Sequence, residues 1–285
     1  MSKKALLFIN KKKPAALDLA EEIRSILEKN RYSIDIYSDN EKTNINPTSV
    51  DLSISLGGDG TVLHAARIMG PLETPLLPVN LGSLGFIAAV LPSQWEEVYN
   101  KWENGKALIS RRFMLDLSVE RKGSVIFNGC CLNDAVVSSA GIAKLVRLEV
   151  EALTACGDRI SLGPFRADGL IVATPTGSTA YSVAAGGPII DPEMDLVIIN
   201  PICPFTLANR PIVVPSDEKI IVHVENEQRS PVILTIDGQI TEPLESGDKI
   251  SICRHPKTLS LIASDRCTFY QALRTKLSWS GGTHA

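Results

Sequence analysis

Residues 52–64 read Leu52-Ser53-Ile54-Ser55-Leu56-Gly57-Gly58-Asp59-Gly60-Thr61-Val62-Leu63-His64. Leu52, Ile54 and Leu56 make a short apolar strand with serines between them, and three glycines and an aspartate follow within four positions. Glycine admits backbone angles closed to other residues and lets a ligand come close to the main chain. Thr61 is expected to cap the apolar run that begins at Val62, which reads as a helix start. A strand, a glycine turn and a helix N-terminus together hold phosphate, because unpaired backbone N–H groups and the helix dipole favour an anion. Asp59 repels phosphate and so needs its own reason: it faces a metal ion, or it takes a proton from an attacking hydroxyl. The bland reading of the same residues is a tight turn closed by an Asx hydrogen bond.

Working outward, residues 5–9 form a continuous apolar run of strand length. After Pro14, apolar residues at Ala16, Leu19, Ala20, Ile23, Ile26 and Leu27 have the spacing of one helix face. Residues 33–37 read as the next strand, a polar loop covers 38–49, and residues 75–79 form the strand after the glycine turn. This alternation predicts a doubly wound α/β domain with parallel strands, whose ligands sit beyond the carboxyl ends of the strands. The strand at 75–79 runs into Asn80-Leu81-Gly82-Ser83-Leu84-Gly85-Phe86, a second glycine-bearing turn placed like the first. Alone it reads as a connecting loop, but two such turns at neighbouring strand ends predict a cleft. Trp95, Val98, Tyr99 and Trp102 mark the core face of a further helix.

Beyond Gly105 the texture changes. Short β-rich runs recur at 113–120, 124–127, 134–138, 145–152, 170–173, 196–200, 212–214, 220–224, 232–236 and 249–253. Turn residues such as Gly123, Pro215-Ser216-Asp217, Asp237-Gly238 and Ser246-Gly247-Asp248 separate them. Many short strands with that punctuation indicate an antiparallel β-sandwich. The sequence therefore divides into an α/β domain at 1–107 and a β-sandwich at 108–264. The tail, 265–285, has apolar residues at 269, 270, 273 and 277 and is expected to pack back on the first domain.

The chain has 285 residues, 44% hydrophobic and 21% charged, with room for a core and no sign of disorder. A formal charge of -3 gives no electrostatic reason to expect nucleic-acid binding. Lys11, Lys12 and Lys13 read as a solvated loop. No stretch reaches the length of a membrane span and the N-terminus lacks the apolar core of a signal peptide, so a cytoplasmic protein is expected. The six cysteines lack C-x-x-C spacing and the four histidines are scattered, which predicts reduced, mostly buried thiols rather than disulfides or a zinc site.

A second constellation lies at 163–191. A buried-looking strand, 170–173, is flanked by Asp168-Gly169 and by Thr174-Pro175-Thr176-Gly177. Ser178-Thr179-Ala180-Tyr181-Ser182 reads as the opening of a short helix that gathers hydroxyls and free N–H groups at one point. Close packing of small residues is the bland alternative. Ser178 as a hydrolase nucleophile is the weaker reading, since no His or Cys lies nearby and Gly-x-Ser-x-Gly is absent.

These residues carry a resemblance. Gly57-Gly58-Asp59-Gly60-Thr61, the 80–86 turn, Asn133-Asp134 and the long run from Asp168-Gly169 through Thr174–Ser182 to Gly186-Gly187-Pro188-Ile189 stand in the order found in the NAD kinase family. The glycine-aspartate motif alone is shared with lipid kinases such as diacylglycerol kinases, whereas the second-half motif belongs to NAD kinases. The match runs from about residue 5 to Trp279. The resemblance implies transfer of the ATP γ-phosphoryl group to the 2′-hydroxyl of the adenosine ribose of NAD, with Mg²⁺ or a similar divalent cation and self-association into a dimer or tetramer.

On the same basis Asp59 matches the proton acceptor. Gly57, Gly58, Gly60, Thr61, Asn80 and Phe86 fall in the glycine-turn motifs. Asn133 and Asp134 match residues holding the ribose and adenine of NAD, and Asp168, Thr179, Ala180, Tyr181, Ser182, Val183 and Ala184 match further NAD contacts. His64, Lys144, Arg166 and Gln239 fall where the family often contacts ligand. Many bacterial members have Glu where this chain has Asp134, one methylene shorter, so its contact is expected to run through a shifted backbone or a water. No protein metal ligand, nucleic acid or membrane partner is implied.

The chemistry agrees with the resemblance. A secondary ribose hydroxyl is a poor nucleophile at neutral pH, and a carboxylate in hydrogen-bond reach accepts its proton. Phosphoryl transfer otherwise needs positioning and charge neutralisation, which glycine-turn N–H groups and a metal supply. No Walker-type Gly-Lys-Ser/Thr occurs, and no Gly-x-Gly-x-x-Gly follows the first strand, so a P-loop enzyme and a dehydrogenase are disfavoured. A lipid kinase would need an apolar slot that the polar 174–182 run does not suggest. A non-catalytic pyridine-nucleotide sensor would do better without Asp59.

Overall fold

A computed structural model describes residues 3–38, 49–83, 85–141, 144–206, 208–262 and 266–278. The chain divides into two units: Met1–Arg112 with Lys257–Ala285, and Phe113–Pro256. In the first unit β1 (Lys3–Ile9), β2 (Tyr32–Ser38), β3 (Leu52–Gly57) and β4 (Leu76–Asn80) pair in parallel in the order β2-β1-β3-β4. Parallel neighbours need crossovers, and helices α1 (Pro14–Lys29) and α2 (Asp59–Met69) provide two of them. Pro14 opens α1 without loss, because the first N–H groups of a helix have no internal partner. Most of the polar loop expected at 38–49 lies outside the described residues.

Alternation along β1 decides where the helices sit. Ala5, Leu7 and Ile9 join a core with Leu19, Ala20, Ile23 and Leu27 of α1 and with Trp95 and Tyr99 of α3 (Trp95–Glu103). Leu6 and Phe8 are equally buried, and successive strand side chains point to opposite faces. The Phe8 ring meets His64 of α2 edge-on, with centroids 5.8 Å apart. Helices therefore cover both faces, as doubly wound sheets require. Each fully buried Leu or Ile contributes about 1.5–3 kcal/mol, which fixes this register firmly. The serines of β3 are buried too, and Ser53 Oγ donates to the Pro75 carbonyl at 2.8 Å. Past β4, Leu261 pairs in parallel with Leu76. The tail helix, Arg266–Leu277, buries Phe269, Ala272 and Leu273 within this unit, while Trp279 lies outside the described residues.

Among its described residues, the regular structure of the second unit is strand apart from a 3₁₀ turn and one short helix. Its strands are β5 (Ile109–Arg121), β6 (Ser124–Cys131), β7 (Asp134–Ser139), β8 (Val146–Leu153), β9 (Arg159–Ala167), β10 (Gly169–Ala173), β11 (Leu196–Ile202), β12 (Ile212–Pro215), β13 (Lys219–Val224), β14 (Val232–Ile236), β15 (Ile240–Leu244) and β16 (Lys249–Ile262). One antiparallel sheet runs β12-β11-β10-β7-β14-β15. Facing it, β16, β13, β8 and β9 pair antiparallel, and the β5–β6 hairpin joins at β16. Ala135, Val137, Leu170, Val172, Val197 and Ile199 from the first sheet pack against Leu148, Val150, Ile220, Val222 and Ile250 from the second. This is the expected β-sandwich. The alternate residues Val136, Ile171, Ala173 and Ile198 face outward, where Ala185 and Ile190 cover them.

Several local expectations need correction. Strands β9 and β15 were not expected, because Gly163-Pro164 interrupts one and Pro243 the other, and both expose much of one face. The cysteines are free but not mostly buried: of the five described, only Cys131 is buried, while Cys156 and Cys203 are exposed in turns. Among the described residues, no helix is long and apolar enough to cross a membrane.

Candidate active site

Strands β3 and β4 are neighbours, with Gly57 opposite Asn80 at their carboxyl ends, so the two glycine turns open side by side. The Leu81 N–H donates to the Gly57 carbonyl at 2.7 Å and ties one turn to the other. A Cβ on Gly57 would stand 2.1 Å from Thr61 Oγ1, so only glycine fits there. Thr61 is not the cap. Helix α2 begins at Asp59 with Gly58 as its extended N-cap, and Thr61 folds back from the first turn onto Gly57.

Asp59 does not close its own turn either. Its Oδ1 accepts the Ile87 and Ala88 N–H groups at 3.2 and 2.8 Å, and its Oδ2 accepts the Phe86 N–H at 3.0 Å. Each carboxylate oxygen has two acceptor sites, so Oδ1 is filled and Oδ2 keeps one lone pair. Asn80 shapes the turn that makes these bonds. Its Nδ2 donates to the Ser83 and Ala88 carbonyls at 2.7 and 3.1 Å, and its Oδ1 accepts the Gly82 N–H at 2.9 Å. Gly85 leaves room for the carboxylate, since a Cβ there would stand 2.0 Å from Asp59 Oδ1. Phe86 lies against Phe269, with the Lys276 ammonium 5.1 Å from its ring centre. Gly57, Gly58, Asp59, Gly60, Thr61, His64, Asn80 and Phe86 thus belong to one end of one sheet. Gly60 is exposed and Gly58 and Asp59 half-buried, so the helix start is open to a ligand.

In the second unit the expected residues fall into two groups. Asn133 and Asp134 open β7, with Asp134 opposite Ala173 at the end of β10. The next turn folds onto them: Thr174 Oγ1 donates to the Leu132 carbonyl at 2.6 Å, and a Cβ on Gly177 would stand 2.1 Å from the Asn133 carbonyl oxygen. From there a 3₁₀ turn, Thr176–Thr179, leads into α4 (Tyr181–Ala184). Tyr181 and Ala184 are exposed, and Thr179, Ala180 and Val183 half-buried. Ser182 is fully buried, its carbonyl and hydroxyl accepting from Asn200 Nδ2 at 2.9 and 3.3 Å, so it anchors the helix. Ser178 is likewise enclosed, its Oγ bonded to both N–H and carbonyl of Ile190, which removes it as a nucleophile.

Two buried polar side chains sit at this end. Asn133 Oδ1 has no partner among the described residues. The Asp134 carboxyl is buried, and burial, then the nearby Asp237 charge, push its pKa up to about 7. Asp237 fixes the backbone beneath both, and Gln239 follows in the same turn.

Arg166, Asp168 and Lys144 are elsewhere. Asp168 precedes β10 and Thr174 follows it, and six strand steps of about 3.3 Å put roughly 20 Å between them. The Asp168 carbonyl accepts the Ser139 N–H at 3.2 Å, at the far end of β7. Around that end Lys144, Leu145, Arg147, Arg166, Phe205 and Arg229 line a cavity of about 650 Å³. Four of the six are cationic, and Arg147 is paired with Glu227 at 2.9 Å.

Sequence reasoning missed Gly85 as a steric requirement, Asp237 beneath Asn133 and Asp134, Asn200 beneath α4, and Arg147 and Arg229 beside Lys144. It also read Lys13 as solvated. Lys13 Nζ lies 2.9 Å from where a Cβ on Gly82 would stand, beside the second glycine turn. The spacing of Lys13 after β1, at the same sheet edge as the glycine turns, was the available signal.

A parallel sheet with paired glycine turns, an open helix start and a backbone-anchored carboxylate defines a phosphate-handling α/β unit, here followed by a β-sandwich with its own polar turn. Residues 40–107 match the ATP-NAD kinase N-terminal domain and residues 132–264 the ATP-NAD kinase C-terminal domain. The chain is 42% identical over 286 residues to the NAD kinase of Treponema denticola, covering 99% of this chain and 98% of that protein. It is 41% identical to the NAD kinase of Geotalea daltonii over 82% of this chain and 80% of that one. With this agreement across both units, the chain belongs to the NAD kinase family. Among solved structures, an NAD kinase from Archaeoglobus fulgidus in complex with ATP superposes with a TM-score of 0.70 at 25% identity, covering 94% of this chain and 96% of that one. Yeast NADH kinase complexed with NADH shares the fold, with a TM-score of 0.87 at 22% identity over 98% and 88% of the two chains.

Proposed function

We infer that this chain is an ATP:NAD 2′-phosphotransferase, with Asp59 accepting the proton of the attacking hydroxyl. The observation that carries the role of Asp59 is its carboxylate, fixed by three N–H donors yet keeping one lone pair on Oδ2. The 2′-oxygen of the adenosine ribose forms a bond to the γ-phosphorus as the bond to the β-phosphate oxygen breaks, and ADP leaves. The hydroxyl proton passes to Asp59 Oδ2 and then to solvent. Such a positioned base contributes about 10²–10⁴ in rate. Gly58 and the start of α2 offer N–H groups to ATP phosphates, and Lys13, beside the second glycine turn, is the cation we assign to them.

The divalent cation fits these residues in a limited way. Among the described residues no group of three His, Cys, Asp or Glu side chains gathers to hold a metal. Mg²⁺ is ordinarily held by one or two carboxylates together with substrate phosphates and waters; here the ATP phosphates and waters would hold it, since the free lone pair of Asp59 is assigned to the hydroxyl proton. The cation neutralises phosphate charge when bound. NAD is assigned to Asn133, Asp134, Thr179, Ala180, Tyr181, Val183, Ala184 and Gln239, with Ser182 anchoring the helix from beneath; the unpartnered Asn133 Oδ1 and the buried Asp134 carboxyl supply acceptors for a polar ligand.

Self-association completes this reading. Arg166, Asp168 and Lys144 lie about 20 Å from Asn133 along β10, so one copy's Arg166 end is assigned to supplement another copy's Asn133 end. A cytoplasmic setting suits the exposed thiols Cys156 and Cys203. Incubation with ATP, Mg²⁺ and NAD, followed by separation of NADP, tests the activity, with diacylglycerol as the competing acceptor. NADP is the expected product; phosphorylated diacylglycerol, or no NADP with any divalent metal, would overturn it.

A further inference from the structure

Asp237 sits between β14 and β15 with φ of 49°, in the left-handed region that glycine usually occupies. Its side chain reaches back across the sheet to the start of β7. Oδ2 accepts the Leu132 N–H at 3.2 Å, and Oδ1 accepts the N–H groups of Asn133 at 2.8 Å and Asp134 at 3.3 Å. The Asp237 N–H returns to the Asp134 carbonyl at 3.0 Å. Four bonds thus pin the two-residue turn from which the Asn133 and Asp134 side chains project.

The donors are all spent on Asp237. Asp134, 4% exposed, receives none of them, and Asn133 Oδ1 is an unpartnered acceptor on the residue before it. The charged and titratable groups facing Asp134 are Asp237 across the turn and the thiol of Cys131 at the end of β6. Burial keeps the Cys131 thiol protonated. Burial first, and the Asp237 charge second, push the Asp134 carboxyl toward its protonated form. Its pKa of about 7 places that proton within the physiological range.

We propose that Asp134, buried beside the Asp237 charge in the turn that Asp237 pins, is a proton-releasing acceptor, with Asp237 the positioning residue that holds it there. The 3′-hydroxyl of a ribose bound at Asn133 and Asp134, next to the 2′-hydroxyl assigned to Asp59, donates to the Asp134 carboxylate, and the proton that Asp134 carries in the free protein leaves to solvent. This rests on the reading that Asn133 and Asp134 hold the NAD ribose. The sign follows from linkage. Below about pH 7 the free protein carries the proton and the complex does not, so NAD affinity rises with pH, by up to about tenfold per unit, and levels off above pH 7.

Calorimetric titration of the full chain with NAD, without ATP, in buffers of different ionisation heat counts the protons released. At about pH 6 the release expected is about one proton per NAD, and at about pH 8.5 none. Asp134→Asn is expected to release none at either pH and to bind NAD with a pH-independent Kd. Asp237→Asn is expected to cut the release at about pH 6 by half or more while still binding NAD. Absence of release in the parent protein at about pH 6, or undiminished release in either variant, overturns the proposal. Should Asp237→Asn fail to fold, Asp134→Asn alone decides it, because release surviving that change is fatal. If Asn133→Ala and Asp134→Asn leave Kd unchanged at every pH, the ribose assignment itself falls. If they weaken binding but no proton is released, only the proton-releasing role of Asp134 falls.

Discussion

Replacing Gly85 by alanine adds one methyl group at the point where two turns meet. Its Cβ would stand 2.0 Å from Asp59 Oδ1 and 2.9 Å from the Ala88 carbonyl oxygen. A carbon and an oxygen rest about 3.2 Å apart or more, so the carboxylate or the turn must move by roughly 1 Å. The bonds to Oδ1, from Ile87 at 3.2 Å and Ala88 at 2.8 Å, do not survive such a shift. Hydrogen bonds to charged groups contribute about 1.5–3 kcal/mol each, so loss of both costs on the order of 3 kcal/mol. For a protein of this size that lowers Tm by roughly 6–12 °C. Displacing the base should also reduce kcat for NADP formation by about 10²–10⁴. Gly58→Ala is the matched control, because a Cβ there meets nothing within 4 Å and the backbone is extended. It should leave Tm unchanged and raise KM for ATP, since the methyl occupies the space assigned to phosphate. The assay is steady-state kinetics with a thermal melt on each variant. Parent-like kcat and Tm for Gly85→Ala would refute the claim that this turn fixes Asp59.

Asn133→Ala should raise KM for NAD several-fold and leave KM for ATP nearly unchanged, reflecting about 1 kcal/mol for one polar contact; equal effects on both substrates would count against it. Asp134 has a folded pKa of about 7, above its unfolded value, so the folded state binds the extra proton between about pH 4 and 7 and stability falls as pH rises through that window. Asp134→Asn should therefore stabilise the fold at about pH 8, by on the order of 3 kcal/mol and so with a raised Tm, and change little near pH 4; a melt showing the reverse order would contradict the burial argument. Arg166→Ala and Asn133→Ala should each weaken NAD use, and co-refolding the two variants should restore parent-like sites in about a quarter of cases, as expected for a site shared across a symmetric pair. No recovery in the mixture would place both ends in one copy's site.

Most of the fold was legible because burial follows simple periods. The 3.6 spacing from Ala16 to Leu27 gave α1, and the alternating hydrophobics of 232–236 gave β14. Where charge, Gly and Pro interrupt the period, as in β9 and β15, the strand persists because its partners supply the ladder, and no local pattern announces it. The site was legible as motifs but not as geometry. Asp59 was marked by its neighbours in sequence, yet what fixes it is a turn 27 to 29 residues away. Asp237 read as an ordinary turn aspartate, because nothing in Asp237-Gly238 shows that its carboxylate reaches residues about a hundred positions earlier. The separation of Asp168 from Asn133 was equally hidden, since sequence order gives no hint that β10 carries them to opposite ends.

Asp59→Asn tests the central claim most directly. The amide keeps the size of the carboxylate, and its oxygen can still accept from Ile87 and Ala88, but its NH₂ group then faces the Phe86 N–H and cannot take a proton. The account predicts kcat lower by about 10²–10⁴, NAD affinity nearly intact, no recovery on raising Mg²⁺, and a modest fall in Tm from the lost Phe86 bond. Recovery by excess Mg²⁺ would make Asp59 a metal anchor, and a kcat near that of the parent protein would end its role as the base.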